Sequence, residues 1–256
     1  MTRILTALVL VPTVMWLVLF SPQWAFQLGA AAVGLLAFRE FDTIAAAQGI
    51  PKSGLIGMLA GLALLLAPEP TAPVVIVIAV VLMAAAMRAP DLRQSLPGAA
   101  VGLLGVVYIF GAWRCAGLLR GISVHWLMIS FIVSWAGDTA AMYVGKSIGR
   151  HKLAPRVSPN KTVEGALGSV VFGIAVGVIY AHYFIPDTPI WLVLFVCTLA
   201  NVAGQLGDLC ESAFKRGADV KDSGTSLPGH GGWLDRIDSS LFSVPVVYAT
   251  LLWLPR

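Results

Sequence analysis

Residues 214–239 read FKRGADVKDSGTSLPGHGGWLDRIDS, and long apolar runs lie on both sides, at 189–213 and 238–254. Eight of these 26 residues are charged, whereas the chain as a whole is 58% hydrophobic and 12% charged. A soluble globular chain is roughly 25% charged. The low charge therefore predicts that lipid covers most of the surface, and that this stretch is a polar loop joining two membrane helices.

Apolar runs along the chain predict nine membrane helices, judged against a span of about 17–25 residues. The third and fourth runs are short, so two short helices, a re-entrant pair or a total of eight spans stay open. The first run is followed by no Ala-x-Ala cleavage site, which favours an uncleaved helix over a signal peptide. The predicted spans are roughly 4–20, 23–38, 53–67, 73–87, 98–118, 124–144, 163–184, 189–213 and 238–254.

The distribution of Lys and Arg predicts the orientation of these spans. With the N-terminus in the cytoplasm, 14 of the 17 basic residues fall in inner segments, as is typical of membrane proteins. The predicted fold class is an all-α, polytopic integral membrane protein of about nine transmembrane helices, N-terminus cytoplasmic. Residues 1–120 are predicted to form a scaffold and lipid groove, and 121–256 to carry the cytoplasmic catalytic loops of the same membrane domain.

Several acids lie where lipid makes a charge costly. Asp138 lies within the sixth run, and Asp208 and Glu211 lie near the end of the eighth. A charge at the bilayer centre costs at least ~2.5–3.5 kcal/mol, so such residues usually face a polar cavity and serve function. For Asp138, an internal ion pair or a helix cap stays open as the alternative. Arg114, also within a run, is not explained by the sequence pattern; a pair with a buried acid such as Asp138 is one option.

Carboxylates from two helices indicate a metal site. Helical spacing places four polar side chains on one face of the eighth helix: Asp208, Glu211, Ser212 and Lys215. Asp235 and Asp238 lie three apart at the start of the next helix, where capping would also explain them. Paired carboxylates with few thiols or imidazoles suit Mg²⁺ before Zn²⁺.

The basic residues and glycines of the loop indicate phosphate binding. Lys and Arg neutralise phosphates, and glycines let the backbone N–H groups approach an anion. His230 could be a general base, a phosphate donor or a loop-ordering group; the last two are favoured because a phosphate nucleophile is already ionised. The residues predicted to bind substrate here are Ser212, Arg216, Lys221, Asp222, His230, Gly231, Gly232 and Arg236.

The other long inner loop contains SPNKTVEG at 158–165. Lys161 at a helix N-terminus opposes the helix dipole, which makes more sense if an anion binds there too. Capping by Ser158 or Thr162 is the structural alternative. The residues predicted to bind substrate in this segment are Ser158, Asn160, Lys161, Thr162 and Glu164.

Four segments of this chain together resemble the signature of the phosphatidate cytidylyltransferases, also called CDP-diacylglycerol synthases. They are SAFKR (212–216), KD (221–222), LPGHGG (227–232) and DRID (235–238). SPNKTVEG and DTAAMYVG (138–145) resemble a second block of that family, and Arg39-Glu40 resembles a weaker one. Two positions depart from the pattern: Asn160 stands where the family commonly has lysine, and Trp233 where it has a smaller apolar residue.

The resemblance implies transfer of a cytidylyl group from CTP to phosphatidic acid, giving CDP-diacylglycerol and pyrophosphate. It implies dependence on Mg²⁺, with a second cation left open. It also implies that Asp208 and Asp235 are metal ligands, with Asp238 close by. These three residues and Lys215 are the predicted catalytic set, and Asp138 is the fourth metal candidate.

The predicted partners are CTP, phosphatidic acid and membrane lipids, without nucleic acid and with a homodimer left open. The predicted location is a bacterial inner membrane, with the active site on the cytoplasmic side. One alternative is a CTP-dependent enzyme that acts on a polyprenol or archaeal-type lipid. A more distant one is an ion-coupled transporter, which the one-sided charge and the lack of an internal repeat disfavour.

Overall fold

The computed structural model of the chain describes residues 2–227, 229 and 231–254. Within these residues the protein is mainly helical, and each predicted span lies in a helical segment. Four helices are long and apolar enough to cross a membrane by length and composition: Leu92–Ile122, Val124–Ile148, Val163–Phe184 and Ile190–Gly217. The prediction of a mainly helical protein is confirmed, with four candidate membrane-spanning helices in the described residues, whereas nine crossings and their orientation stay predictions.

Ten α-helices follow one another in the part of the chain that the structure describes. A π-helical segment, Val106–Gly111, joins α5 to α6, so that Leu92–Ile122 is one continuous helix. The helices are α1 (Thr2–Leu19), α2 (Gln23–Ala47), α3 (Gly54–Leu65), α4 (Ala72–Ala86), α5 (Ser95–Gly105), α6 (Ala112–Ile122), α7 (Val124–Ile148), α8 (Val163–Phe184), α9 (Ile190–Gly217) and α10 (Leu234–Trp253).

A small hairpin departs from the predicted all-α fold. Its strands, β1 (Lys152–Ala154) and β2 (Ser158–Thr162), pair antiparallel with Lys152 opposite Thr162. Thr162 then caps α8, because its Oγ1 accepts a hydrogen bond from the Gly165 N–H at 3.1 Å. Of the two predicted capping residues, Thr162 is therefore the cap, and Ser158 lies at the start of β2.

The chain divides into two compact units. The first comprises Met1–Val11, Pro22–Arg114 and Phe214–Arg236, and the second comprises Pro12–Ser21, Cys115–Ala213 and Ile237–Arg256. The chain passes from one unit to the other within α1, α6, α9 and α10, and also between α1 and α2. The loop between α9 and α10 belongs to the first unit, and the β1–β2 hairpin belongs to the second.

Aromatic rings pack against glycines in the core of the first unit. Phe38 and Phe110 are fully buried, with ring centroids 5.7 Å apart. A Cβ atom on Gly61 would stand 2.1 Å from the Phe110 ring. Glycine at this position of α3 therefore leaves the space that the ring fills.

Arg114 has a different partner from the option that the sequence left open. Its Nη2 atom lies 2.8 Å from Glu69 Oε1, in the connection between α3 and α4, and its Nη1 donates to the Leu65 carbonyl. The option of a buried acid such as Asp138 is wrong, because the Glu69 side chain is 55% exposed. The hydrogen bond from Arg114 holds the pKa of Glu69 below its usual value.

A buried polar layer fixes three helices of the second unit. Asn201 of α9 is 2% exposed, and its Nδ2 donates to the Ser169 carbonyl of α8 at 3.1 Å and to the Val133 carbonyl of α7 at 3.4 Å. A Cβ atom on Gly137 would stand 2.4 Å from that nitrogen. The layer therefore sets the approach of α7, α8 and α9 about two helical turns before Asp208.

Candidate active site

Asp235 organises the loop between α9 and α10. Its Oδ1 accepts a hydrogen bond from Lys215 Nζ at 2.6 Å, and its Oδ2 accepts from the backbone N–H groups of Ser223 at 2.9 Å and Gly232 at 2.7 Å. The side chains of Asp235 and Lys215 are only 5% and 11% exposed. Two predicted catalytic residues therefore form a buried ion pair that also holds the loop in shape.

A second carboxylate, Glu40 of α2, binds the same loop. Its Oε1 accepts from the Ser226 hydroxyl and the Trp233 N–H, and its Oε2 accepts from the Ser223 hydroxyl and the Leu234 N–H, all between 2.8 and 3.1 Å. Glu40 is 8% exposed. The loop is thus folded around two acids, one from the adjoining helix and one from a helix far away in sequence.

The glycines at the end of the loop fit around these acids. Gly231 has φ +78, and a Cβ atom there would stand 2.5 Å from Asp235 Oδ2. A Cβ atom on Gly232 would stand 2.3 Å from Glu40 Oε2. The Gly232 N–H donates to the Asp235 carboxylate in this structure, and phosphate binding by the loop glycines stays a prediction.

The remaining predicted substrate-binding residues of the loop are mostly solvent-facing. Arg216 is exposed and donates to the Val220 carbonyl at 3.0 Å, which ties the end of α9 to the loop. Ser212 is buried and donates to Asp208 Oδ1 at 3.3 Å. His230 lies outside the described residues. Exposed side chains are found at Lys221, Asp222 and Arg236.

Three acids of the second unit lie within electrostatic range of a fourth, Asp238. Asp238 of α10, which is half-buried, feels the charges of Asp208, Glu211 and Asp138. Glu211 is fully buried, and Asp138 is exposed on α7. These acids are called the acidic cluster below. Their charges repel one another, so cations stabilise the arrangement.

Asp238 does not cap α10. The helix begins at Leu234, so Asp238 lies one turn inside it, where its Oδ1 accepts from the Ser239 N–H at 2.7 Å. Asp235 occupies the first turn instead. Capping is therefore wrong as the explanation for Asp238, and its predicted role in metal binding stays a prediction.

Lys161 supplies a positive charge to the acidic cluster. Its Nζ lies 2.5 Å from Asp208 Oδ2, and the two side chains are 27% and 29% exposed. Lys161 lies near the end of β2, one residue before the cap of α8. The anion that offsets this lysine is therefore an aspartate of the protein itself.

Glu164 orders the hairpin rather than standing free for substrate. Its Oε2 accepts from the Arg150 N–H at 3.1 Å, and its Oε1 lies 2.6 Å from His151 Nδ1. Asn160 is exposed and Ser158 is half-buried in β2. Of the residues predicted in SPNKTVEG, Lys161 alone is paired with the acidic cluster in the described residues.

The donor chemistry of the acidic cluster fits a hard cation. All its donors are carboxylate oxygens, which suit Mg²⁺ better than soft or borderline metals. In the described part of the chain, no three His, Cys, Asp or Glu side chains converge in ligating geometry. The residues therefore fit such an ion by donor type, and its binding would require them to draw together.

The sequence showed Arg39-Glu40 only as a weaker family resemblance and gave Glu40 no place in this site. The signal was available, since an acid next to Arg39 interrupts the apolar pattern of α2. The partners of Glu40 lie 183 to 194 residues further along the chain. No local pattern indicates a contact over that separation.

Comparison with known proteins places the chain in a family. The model of the Cytidylyltransferase family matches residues 1–254. A phosphatidate cytidylyltransferase of Staphylococcus aureus (strain COL) is 32% identical over 98% of this chain and 97% of its own length. Those of Staphylococcus haemolyticus (strain JCSC1435) and Staphylococcus saprophyticus are 41% and 39% identical over 62% of both chains, so the matched segment spans less than two thirds of these two relatives.

The family match covers both units, including the loop organised by Asp235 and the helices that carry the acidic cluster. These relatives are named phosphatidate cytidylyltransferases, the family that the sequence of this chain resembles. The Staphylococcus aureus relative matches nearly the full length of this chain. This chain therefore belongs to the cytidylyltransferase family.

Proposed function

We propose that this protein is a phosphatidate cytidylyltransferase, which forms CDP-diacylglycerol and pyrophosphate from CTP and phosphatidic acid. The observation that carries the proposal is the family match over residues 1–254. It is supported by the ordered loop, in which Asp235 and Lys215 form a buried pair. Lys161 and Asp208 add a second lysine–aspartate pair of the kind that phosphoryl-transfer chemistry uses.

The reaction needs positioning and charge neutralisation rather than an enzyme nucleophile. An oxygen of the lipid phosphate attacks the α-phosphorus of CTP, a new P–O–P bond forms, and the bond to the β-phosphate breaks to release pyrophosphate. Negative charge builds on the transferring group and the leaving group. We expect the ammonium groups of Lys161 and Lys215 to bind these oxygens once substrate draws them from their aspartates.

Magnesium is proposed as the cofactor, with a second cation left open. When bound, Mg²⁺ would offset charge on the triphosphate. Asp208, Asp235 and Asp238 would hold it, with Asp138 as a further candidate. In Asp235, Oδ2 already accepts two backbone N–H groups and Oδ1 accepts from Lys215, so metal binding would change the contacts of this carboxylate.

The predicted membrane arrangement is part of this proposal. Nine crossings with a cytoplasmic N-terminus would place the hairpin and the loop on the cytoplasmic face of a bacterial inner membrane, where CTP is available. Residues 1–120 would provide the scaffold and lipid groove, and 121–256 the catalytic loops. The partners would be CTP, phosphatidic acid and membrane lipids, with a homodimer as the open assembly.

One assay tests the proposal. Purified protein in mixed micelles is given phosphatidic acid, Mg²⁺ and CTP labelled at either the α- or the γ-phosphate. The expected result is α-label in a lipid product and γ-label in pyrophosphate, with loss of both after chelation and recovery on adding Mg²⁺. Transfer of γ-label to lipid would indicate a lipid kinase. Turnover with a polyprenol phosphate but not phosphatidic acid would indicate the other lipid class, and no turnover with any lipid would contradict the proposal.

A further inference from the structure

Glu40 links α2 to the loop between α9 and α10, up to 194 residues away in sequence. We propose that Glu40 is a positioning residue for the reaction: its carboxylate holds the loop in the shape that presents Asp235 and Lys215. This inference rests on the proposed function. Glu40 itself is buried behind the loop and is not expected to touch substrate.

The hydrogen bonds of Glu40 come from two kinds of donor. The Leu234 N–H is the first backbone donor of α10, which has no partner within the helix, and the Trp233 N–H comes from the residue just before it. A negative charge at this end is also favourable to the helix dipole. The Ser223 and Ser226 hydroxyls come from the other side of the loop. Glu40 therefore caps α10 and closes the loop onto it.

Ser223 connects Glu40 to Asp235. The Ser223 hydroxyl donates to Glu40 Oε2 at 2.8 Å and accepts from the Asp235 N–H at 3.3 Å, while the Ser223 N–H donates to Asp235 Oδ2 at 2.9 Å. Asp235 Oδ1 in turn binds Lys215 at 2.6 Å. A displacement of the Glu40 carboxylate would therefore pass through one serine to the catalytic aspartate and its lysine.

The loop backbone is shaped around this carboxylate. A Cβ atom on Gly224 would stand 2.7 Å from Glu40 Oε1, and one on Gly232 would stand 2.3 Å from Oε2. Both glycines thus allow the chain to approach the acid more closely than any side chain would permit. The fit is specific to the position of Glu40, since each of its oxygens accepts one hydrogen bond from the start of the loop and one from its end.

A carboxylate is required because every partner of Glu40 is a donor. In Glu40→Gln the side-chain NH₂ group would replace either Oε1, which faces the Trp233 N–H, or Oε2, which faces the Leu234 N–H. In both orientations two donors face each other, and a backbone N–H cannot accept. Serine hydroxyls can rotate, so the conflict falls on the helix end. The isosteric change therefore tests the charge and acceptor pattern without changing side-chain volume.

Asp42 offers a matched control on the same helix. It is 5% exposed, and its carboxylate accepts from the Ser53 N–H at 3.0 Å and the Gly54 N–H at 2.8 Å, at the start of α3. Asp42→Asn creates the same conflict between donors at another helix end. A decrease in kcat/KM or in amide protection that both variants share is then a general effect of disturbing a buried acid of α2.

The test measures steady-state kinetics and amide hydrogen exchange on the full-length protein in detergent. We expect Glu40→Gln to lower kcat/KM by about 10- to 100-fold, the range for slight misplacement of a catalytic group, and to speed exchange at 223–227 and 231–235. Glu40→Asp, which keeps the charge, should recover part of the kcat/KM and part of the slow amide exchange of the loop. Asp42→Asn should speed exchange only at the start of α3 and leave kcat/KM near the wild-type value.

The inference would be overturned if Glu40→Gln exchanged its loop amides at the wild-type rate and had the same kcat/KM as Asp42→Asn. If Glu40→Gln does not yield folded protein, Ser223→Ala and Ser226→Ala each remove one donor, and unchanged kinetics and exchange in both would overturn it equally. Failure of wild-type protein to transfer a cytidylyl group would instead contradict the proposed function, and the exchange comparison would still test Glu40.

Discussion

The two lysine–aspartate pairs have nearly equal separations but different surroundings. Lys161 and Asp208 lie 2.5 Å apart with side chains 27% and 29% exposed, whereas Lys215 and Asp235 lie 2.6 Å apart with side chains 11% and 5% exposed. Asp235 also accepts two backbone N–H groups, while Asp208 accepts one hydroxyl, from Ser212. Lys161 and Asp208 can therefore separate and bind other ions more easily, whereas Lys215 and Asp235 maintain the shape of a loop.

This difference matters for the reaction. A lysine must leave its aspartate before the lysine can bind a phosphate oxygen and the aspartate can bind a cation. A partly exposed pair costs less to separate than a buried one, because water replaces the lost contacts. We therefore expect Asp208 to be the site where cations exchange, and Asp235 to combine a catalytic role with a structural one. The following variants test that division.

The largest effect is expected for Asp235→Asn. The variant should lose turnover by about 10²–10³-fold or more, as when a charge-stabilising group is removed, and should lower the free energy of unfolding by about 3–5 kcal/mol, as expected when one partner of a buried ion pair is removed. Turnover is measured with labelled CTP, and unfolding by thermal denaturation in detergent. Asp219→Asn, an exposed change in the same loop, is the control. Full stability with lost turnover would show that Asp235 has no structural role.

Asp208→Asn should lose turnover to a similar extent, about 10²–10³-fold, but should leave the unfolding temperature near that of wild type, because its ion pair is partly exposed. The same two measurements check this, with Asp187→Asn in the exposed α8–α9 connection as the control. Near-normal turnover would remove Asp208 from the metal site. A large loss of stability would erase the difference between the two pairs.

Lys161→Ala should raise KM by about 10-fold or more, since a hydrogen bond to a charged group contributes about 1.5–3 kcal/mol. The reason is that Lys161 is expected to leave Asp208 for a phosphate oxygen. Initial rates at varied CTP and phosphatidic acid show which substrate it binds, with Lys152→Ala on β1 as the control. An unchanged KM for both substrates would leave Lys161 a purely structural counter-ion.

Glu69→Gln should have the smallest effect. Its pair with Arg114 lies at 2.8 Å, but the Glu69 side chain is 55% exposed, so the expected loss of stability is within about 1 kcal/mol, with turnover unchanged. Because the pKa of Glu69 is lowered in the folded state, this contribution is present above the usual carboxyl pKa and disappears as pH falls through the folded value. Thermal unfolding at neutral and acidic pH checks both statements, and an altered turnover would show that ion pairs outside the site also affect catalysis.

Length and hydropathy were enough to place the helices, because each apolar run lies in a helical segment. Helix ends were less predictable. The last helix begins at Leu234, four residues before the predicted membrane span of 238–254, and Glu40 of a distant helix accepts from its first N–H group. The β1–β2 hairpin was not predicted, because SPNKT carries no alternating apolar pattern.

Residue chemistry identified the charged positions of the site better than their partners. Asp208, Asp235, Lys161 and Lys215 were all selected from motif and spacing, and all four form ion pairs. Which lysine faces which aspartate depends on how the loop and the hairpin fold back, and spacing along one helix does not contain that information. The role of Glu40 depends entirely on such a long-range contact.

The most direct test of the account is cation binding by the acidic cluster. Mn²⁺, which shares the preference of Mg²⁺ for oxygen ligands, is titrated by electron paramagnetic resonance into wild type, Asp208→Asn and Asp219→Asn, each with CTP present. The account predicts that Asp208→Asn weakens Mn²⁺ binding by more than about 10-fold, at least the loss expected for a supporting group of a metal site, while Asp219→Asn matches wild type. Equal Mn²⁺ affinity in Asp208→Asn and wild type would contradict it.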